Sequence, residues 1–331
     1  DAKNLSLLLE LAQTEKGANR DAVLKALAGQ EGEPVASFWA REVEKHSQSV
    51  KFLEPSNKEW AIQLVASGLR QRLEQFLDGG DLTHRQVYEK LIEGDALPTT
   101  SQINPAQFEE AFRRSAEAGE SVVAVTLSSK LSGTCQSARI AAEEFPGRVF
   151  VVDSENATIG EQLLVERALE LMDQGLEASA IAARLEEEKR DIRLVALLDT
   201  LEYLKRGGRV SASVALVGGL LAIKPVVAVQ DGEVVVLGKA RGSKNGNNLL
   251  VQEIQKTNGV DFTRPYRLGY TGLDDSLLQK YIADSAALWT EHTSALPVGT
   301  IGGTIGTHVG PGAVAVAFFQ RPAGSGDQEP V

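Results

Sequence analysis

The sequence is poor in the residues that covalent and metal-based chemistry need. One cysteine, Cys135, stands in 331 residues, so no disulfide can close within the chain and no cysteine-based zinc site can assemble. A reducing compartment follows, and the cytoplasm is the expected location. Four histidines, at 46, 84, 292 and 308, fall at no metal-ligand spacing. No metal is expected. Positive charge is also in the minority, 34 Lys and Arg against 45 Asp and Glu for a formal net charge of −11, which argues against wide binding to a phosphate backbone. Nucleic acid is not an expected partner. Long apolar runs are missing: nothing approaches the roughly 20 residues of a membrane span. The first residues, "DAKNLSLLLELAQTEKG", hold an acidic residue inside a short apolar block, unlike a signal peptide. Neither a leader nor a transmembrane segment is expected.

Signature motifs are equally scarce. The chain contains no G-x-x-x-x-G-K-[ST], no G-x-G-x-x-G after a strand, no G-x-S-x-G elbow and no H-E-x-x-H. The common nucleotide, cofactor and hydrolase sites are therefore absent as motifs, and no cofactor is expected.

What the chain does have is an ordinary globular composition, 43% hydrophobic and 24% charged, and enough length for two cores. Residues 1–48 read as a helical extension, with Leu and Ala at helical spacing in "LSLLLELAQ" and "RDAVLKALAG". A βα unit begins near Ser49 with "VKFLEPSNKEW". Asp81 or Thr83 can cap the helix in "DLTHRQVYEKLIEG", and "ALPTTSQINPAQFEEAF" is a hydroxyl-rich loop running into another helix. Strands are expected at Val122–Leu127 and Arg148–Val152, and helices at about 160–174 and 179–189. "IRLVALLDT" reads as a strand covered on both faces, which suggests α/β architecture with largely parallel pairing. "KPVVAVQDGEVVVLGKARG" reads as a hairpin turning at Asp231-Gly232 in a second, mixed sheet. A helix over about 274–289, a short strand near "PVGTIGG", the glycine-rich "GTHVGPGA" and a strand "VAVAFF" follow. The tail 321–331 is polar, rich in Pro and Gly, and expected to be disordered.

One segment stands apart: "VAVTLSSKLSGTCQSARIAAEEF" carries Ser128, Ser129, Ser132 and Thr134 between an apolar strand and an amphipathic helix. Loops leaving the carboxyl ends of strands in an α/β sheet are where ligands bind. Those hydroxyls, with the free N–H groups of the next helix, can receive an anion. They can equally be an N-cap, Ser132 or Thr134, with solvated neighbours. "PTTSQ" is a second hydroxyl cluster, and His308 lies among glycines that let a ligand approach backbone closely.

Taken in order, "LPTTSQ", "VTLSSKLSGTCQSA", "VVDSENATIG", "LDTLEYLKRGGRVS", "LLAIKPVVAVQDGEV", "KARG" and "GTHVGPGA" resemble the DegV family of bacterial fatty-acid-binding proteins over about Asp81 to Phe319. The resemblance implies two α/β domains with the ligand between them, here 49–160 and 161–320, the second with the mixed sheet. It implies one long-chain fatty acid in an apolar tunnel, presented to a separate ATP-dependent fatty acid kinase that makes an acyl phosphate. The chain would then be no enzyme itself. It would be a subunit feeding phospholipid metabolism, touching membranes only transiently to exchange lipid.

Carried over by motif, the headgroup site resembles Thr99, Thr100, Ser128, Ser129, Ser132, Gly133 and His308. Neutral donors there would satisfy a carboxylate without the tight ion pair that a buried Lys or Arg would make. "VALVGGLLAIKPVV" and "AVAVAFF" offer apolar wall. Arg206, Arg209 and Arg241 form an expected rim toward the headgroup or the kinase, or are solvated arginines. The sequence departs from the family where a helical extension precedes "VKFLEPSNKEW", with Glu54, Pro55 and Ser56 in place of an Asp-Ser-Thr loop, and where Cys135 replaces an aromatic. Two alternatives stay open: a dihydroxyacetone-kinase-like subunit in which His308 attacks a small carbonyl substrate, and a partner-binding scaffold whose tunnel is filled.

Overall fold

A computed structural model describes residues 8–12, 23, 83–93, 98–210 and 223–322. The chain divides into two compact units, 1–77 and 78–331. In the first, residues 8–12 are helical and Ala12 is buried. The rest of the helical extension, the βα unit expected over 49–80 and the tail beyond 322 lie outside the described residues.

The second unit opens with α1 (His84–Glu93) and α2 (Pro105–Glu117). Thr83 caps α1: the Gln86 amide donates to its hydroxyl, and its own amide donates to Gln86 Oε1. Asn104 does the same for α2, in a capping box with Gln107 and with Pro105 in the first turn. The 98–104 loop is thereby held at its C-terminal end by local chemistry.

Strands β1 (Val122–Thr126) and β2 (Val149–Asp153) pair in parallel, joined by α3 (Thr134–Ala142). Their side chains alternate with the period of a strand. Val122, Ala124, Val149 and Val151 face Phe112 of α2 and Ala138 and Ala141 of α3. Val123, Val125, Phe150 and Val152 face α4 (Thr158–Asp173) and α5 (Ala178–Glu188).

The same two helices cover a second sheet. Its six strands run in the order β5 (Glu233–Arg241), β4 (Ile223–Gln230), β3 (Ile192–Leu197), β8 (Val314–Phe319), β6 (Tyr266–Tyr270), β7 (Val298–Thr300). Leu194, Ala315, Ala317 and Phe319 meet Leu163, Leu164 and Leu185 of α4 and α5. The opposite face, with Leu197, Val226, Val316 and Phe318, packs on α7 (Ser243–Lys256), α8 (Ser276–Asp284) and α9 (Ala286–Trp289). Leu163, Leu164 and Leu185 have no exposure. Truncating any of them to Ala would cost about 2–5 kcal/mol.

Pairing departs from the sequence reading. Only the β1–β2 and β6–β7 pairs are parallel among the described residues, while β3 is antiparallel to both β4 and β8. "IRLVAL" is apolar on both faces because it is a central strand with helices above and below, and burial of that kind does not require parallel neighbours. The hairpin at Asp231-Gly232 is present, joining β4 to β5. Three elements escaped the pattern: α7, whose "SKNGNN" start is made of poor helix formers, the short strand β6, and a short helix at Glu202–Arg206. Two short helices complete the unit, α6 (Glu202–Arg206) and α10 (Gly303–Val309). The latter carries His308 in its last turn.

Candidate functional site

Four segments far apart in sequence meet in a closed ring of contacts. The first contact joins the 98–104 loop to the loop after β1: Ile103 N–H reaches Thr134 Oγ1 at 3.4 Å, and Gln102 lies so close to Gly133 that a Cβ there would overlap its amide group. Next, Arg209 ties the loop after β1 to the turn after α6, its Nε donating to Leu131 O at 3.1 Å and its Nη1 to Gly207 O at 2.6 Å. Gly207 in turn receives the ring of His308, and any side chain at Gly207 would overlap Nδ1. Finally His308 Nε2 lies 2.7 Å from Thr100 Oγ1, which returns to the first loop.

The ring fixes the protonation of His308. Nδ1 is buried with no hydrogen-bond partner among the described residues. Burial and, second, the Arg209 charge hold the imidazole below its usual range, so it is neutral at pH 7. A nitrogen pressed against backbone beside a guanidinium is better left as a lone pair than as an orphan N–H. We assign the proton to Nε2 on these grounds, and it then donates to Thr100 Oγ1. Thr100 has then received its hydrogen bond, and its own hydroxyl hydrogen is free to donate to an acceptor.

The other expected site residues fall in three groups. Ser132 and Gly133 are in the ring, with Ser132 Oγ 3.0 Å from Thr134 Oγ1 and accepting the Thr134 amide at 3.3 Å. Gly133 is the N-cap residue of α3, so the hydroxyl of Ser132 caps from one position upstream. Thr99 and Ser129 are exposed beside the ring segments. Ser128 is fully buried and turned elsewhere: its hydroxyl donates to Gly232 O at 2.7 Å and pins the tip of the β4–β5 hairpin to the loop after β1.

Of the three arginines only Arg209 joins the ring by a described contact. Arg206 is exposed and pairs with Glu202, and Arg241 is exposed at the end of β5. Arg209 is one of the three cations that the sequence reading placed on the rim, and the structure spends two of its donors on backbone carbonyls. Gln102, Leu131 and Gly207 were not singled out from sequence. Their roles are close approach and backbone acceptance, which leave no compositional signal.

An apolar cluster adjoins the ring. Leu198, Leu204, Val210, Val227 and Ala313 are buried together, with Val234, Val236 and Val309 packed against them. Val210 follows Arg209 and Val309 follows His308, so polar and apolar groups are contiguous along two segments. Most of "VALVGGLLAIKPVV" falls at 211–222, outside the described residues. Among the described residues no group of His, Cys, Asp and Glu could hold a metal ion, and no helix is long and apolar enough to cross a membrane.

Fold and site together define a two-sheet α/β protein with a hydroxyl–imidazole–guanidinium ring set against an apolar cluster. The family profile described as an uncharacterised protein, DegV family, matches residues 52–321, and the chain belongs to the DegV family. The match extends through the stretch after residue 51 where the motifs alone gave no register. A DegV domain-containing protein of Deinococcus radiodurans is 37% identical over 244 residues, covering 73% of this chain and 85% of that one. Another from Caldanaerobacter subterraneus subsp. tengcongensis is 34% identical over 267 residues, covering 80% and 93%. Among solved structures, a DegV family protein from Thermus thermophilus described for its fatty acid binding is 35% identical, with TM-score 0.65 over 74% of this chain and 87% of that one. A DegV lipid binding protein from Thermotoga maritima is 27% identical, with TM-score 0.61 over 70% and 80%.

Proposed function

We propose that the chain binds one long-chain fatty acid, its carboxylate at the ring and its acyl chain among the adjoining apolar residues. The observation that carries this reading is the Thr100–His308 pair. Its hydrogen bond leaves the Thr100 hydroxyl as a donor beside an apolar cluster, and a carboxylate is acceptor-only. Thr99 and Ser129 supply further hydroxyls at the exposed side. Fatty acid binding by the Thermus relative supports the assignment.

The chain then acts as a substrate-presenting subunit without a complete catalytic site. It offers the carboxylate to a separate ATP-dependent kinase for acyl-phosphate formation, works in the cytoplasm, and meets membranes only to exchange lipid. Exposed Arg206 and Arg241 are suited to meeting an acidic partner surface or a nucleotide phosphate. The geometry speaks against His308 as a nucleophile toward a small carbonyl compound, because Nε2 is engaged by Thr100 and Nδ1 is closed off by Gly207.

Native mass spectrometry before and after organic extraction tests the reading. Added mass equal to one long-chain fatty acid, lost on extraction, is the expected result. A bare chain that also takes up neither oleate nor palmitate would overturn it.

A further inference from the structure

The turn that leaves β2 lies outside the ring, yet it sets the backbone on which Ser129 stands. Asp153 is 7% exposed, and its carboxylate accepts the Ser129 amide with its two oxygens at 3.2 and 3.3 Å. It also accepts the Glu155 amide at 3.0 Å. One residue before Ser129, the Ser128 amide donates to Asn156 O at 2.7 Å. Both amides entering the loop after β1 are therefore tied to the 153–158 turn.

That turn is held against its own conformational preference. Glu155 and Thr158 have φ of +50° and +49°, a left-handed region that side chains with a Cβ seldom occupy. Such residues persist where their surroundings over-determine them. Here the surroundings centre on Lys189, itself 7% exposed. Its ammonium reaches Asp153 O at 3.0 Å, the Glu155 carboxylate at 2.9 Å and the Glu186 carboxylate at 2.6 Å. An ammonium has three donors, and all three are used. Ser154 adds a hydroxyl bond to Asn156 O at 3.2 Å.

The product of this network is an exposed hydroxyl with a fixed base. Ser129 Oγ engages none of the described residues, while its amide is clamped by a charge-assisted bond. We infer that Asp153 and Lys189 are positioning residues for Ser129: Lys189 anchors the turn, Asp153 holds the Ser129 amide, and the hydroxyl is thereby presented to the ligand's carboxylate. The inference rests on the reading of the ring as a carboxylate site.

A double-mutant cycle read in oleate affinity separates positioning from general support. Ser129→Ala, Asp153→Ala and the double variant are compared, with the melting temperature of each. Ser129→Ala is expected to weaken oleate about tenfold and Asp153→Ala by a similar factor. The double variant should then bind no more than about twofold worse than Ser129→Ala, although Asp153→Ala lowers the melting temperature in either background. An Asp153→Ala loss that is as large without the Ser129 hydroxyl as with it overturns the inference, as does an unchanged affinity. If Asp153→Ala fails to fold, Lys189→Met is taken through the same cycle under the same criteria. Ser129→Ala with wild-type affinity, in a protein that still retains oleate, would remove Ser129 from the site and the inference with it. Failure of the wild-type chain to bind oleate would instead refute the carboxylate reading itself.

Discussion

Thr100 Oγ1 and His308 Nε2 sit 2.7 Å apart across 208 positions of sequence. Because the other imidazole nitrogen is buried against Gly207 without a partner among the described residues, the proton is assigned to Nε2, and Thr100 is left with a hydroxyl hydrogen to donate. Thr100→Val keeps the shape and removes the donor. Oleate affinity measured by fluorescence displacement should fall about tenfold or more, the value of a hydrogen bond to a charged acceptor, and the melting temperature should fall as well, because His308 Nε2–H loses its acceptor. Unaltered affinity would take Thr100 out of the headgroup site.

Gly207 should tolerate no side chain. A methyl group there overlaps His308 Nδ1, and the crowding must be relieved by moving the imidazole away from Thr100. Gly207→Ala is expected to cost about 1–3 kcal/mol of stability, as overpacking does, and to weaken oleate binding as much as Thr100→Val. Gly208→Ala is the matched comparison: the added Cβ meets nothing within 4 Å, although φ there is +68°. It should lose stability without the loss of affinity.

The three arginines should separate in function. Arg209 holds the carbonyls of Leu131 and Gly207, so Arg209→Met loosens the loop after β1 and weakens lipid binding. It also removes the charge that, after burial, depresses His308, and the imidazole titration followed by NMR should move up toward its usual range. Arg206→Glu with Arg241→Glu should leave oleate binding intact while reducing acyl-phosphate formation in a coupled kinase assay. Equal loss of both activities in that double variant would refute a partner-facing role.

Stability should respond to pH through two partly buried groups of opposite sign. Burial pushes the Glu161 carboxyl, in the first turn of α4, up to about 7 from 4.5. The folded state thus holds its proton more tightly than the unfolded chain. That contribution is complete below pH 4.5 and is lost as pH rises through about 7. His308 is depressed from 6.5, so the unfolded chain binds the proton more readily. Its contribution is complete above pH 6.5 and is lost as pH falls toward the folded value. Glu161→Gln should therefore raise stability at pH 8 by about 1–2 kcal/mol, a few degrees in Tm, and change little at pH 5. Calorimetry across that range that found no pH-dependent gain would argue that Glu161 ionises freely.

Much of the architecture was legible in local pattern. Strands at Val122 and Val149, the helices after them and the hairpin at Asp231-Gly232 stand where period, caps and turn residues placed them. The Thr83 and Asn104 caps follow from short-range chemistry that a sequence displays directly. Pairing direction was not legible: an apolar strand such as Ile192–Leu197 reports burial on both faces, and burial is indifferent to whether its neighbours run up or down.

By itself, the sequence determined the residue chemistry of this protein: hydroxyl-bearing loops at strand ends, one histidine among glycines, no metal motif, and an ordered set of segments that resembles the DegV family. Tertiary structure alone decided how those groups are used. Ser128 and Ser129 are adjacent and chemically identical, yet one is spent on the carbonyl of Gly232 and the other is left exposed. Arg209 reaches a carbonyl 78 residues away, and Gly133 and Gly207 matter for what a side chain would strike. Local periodicity encodes which face of an element is buried. Which distant backbone group lies across from a given hydroxyl depends on the packing of several elements at once.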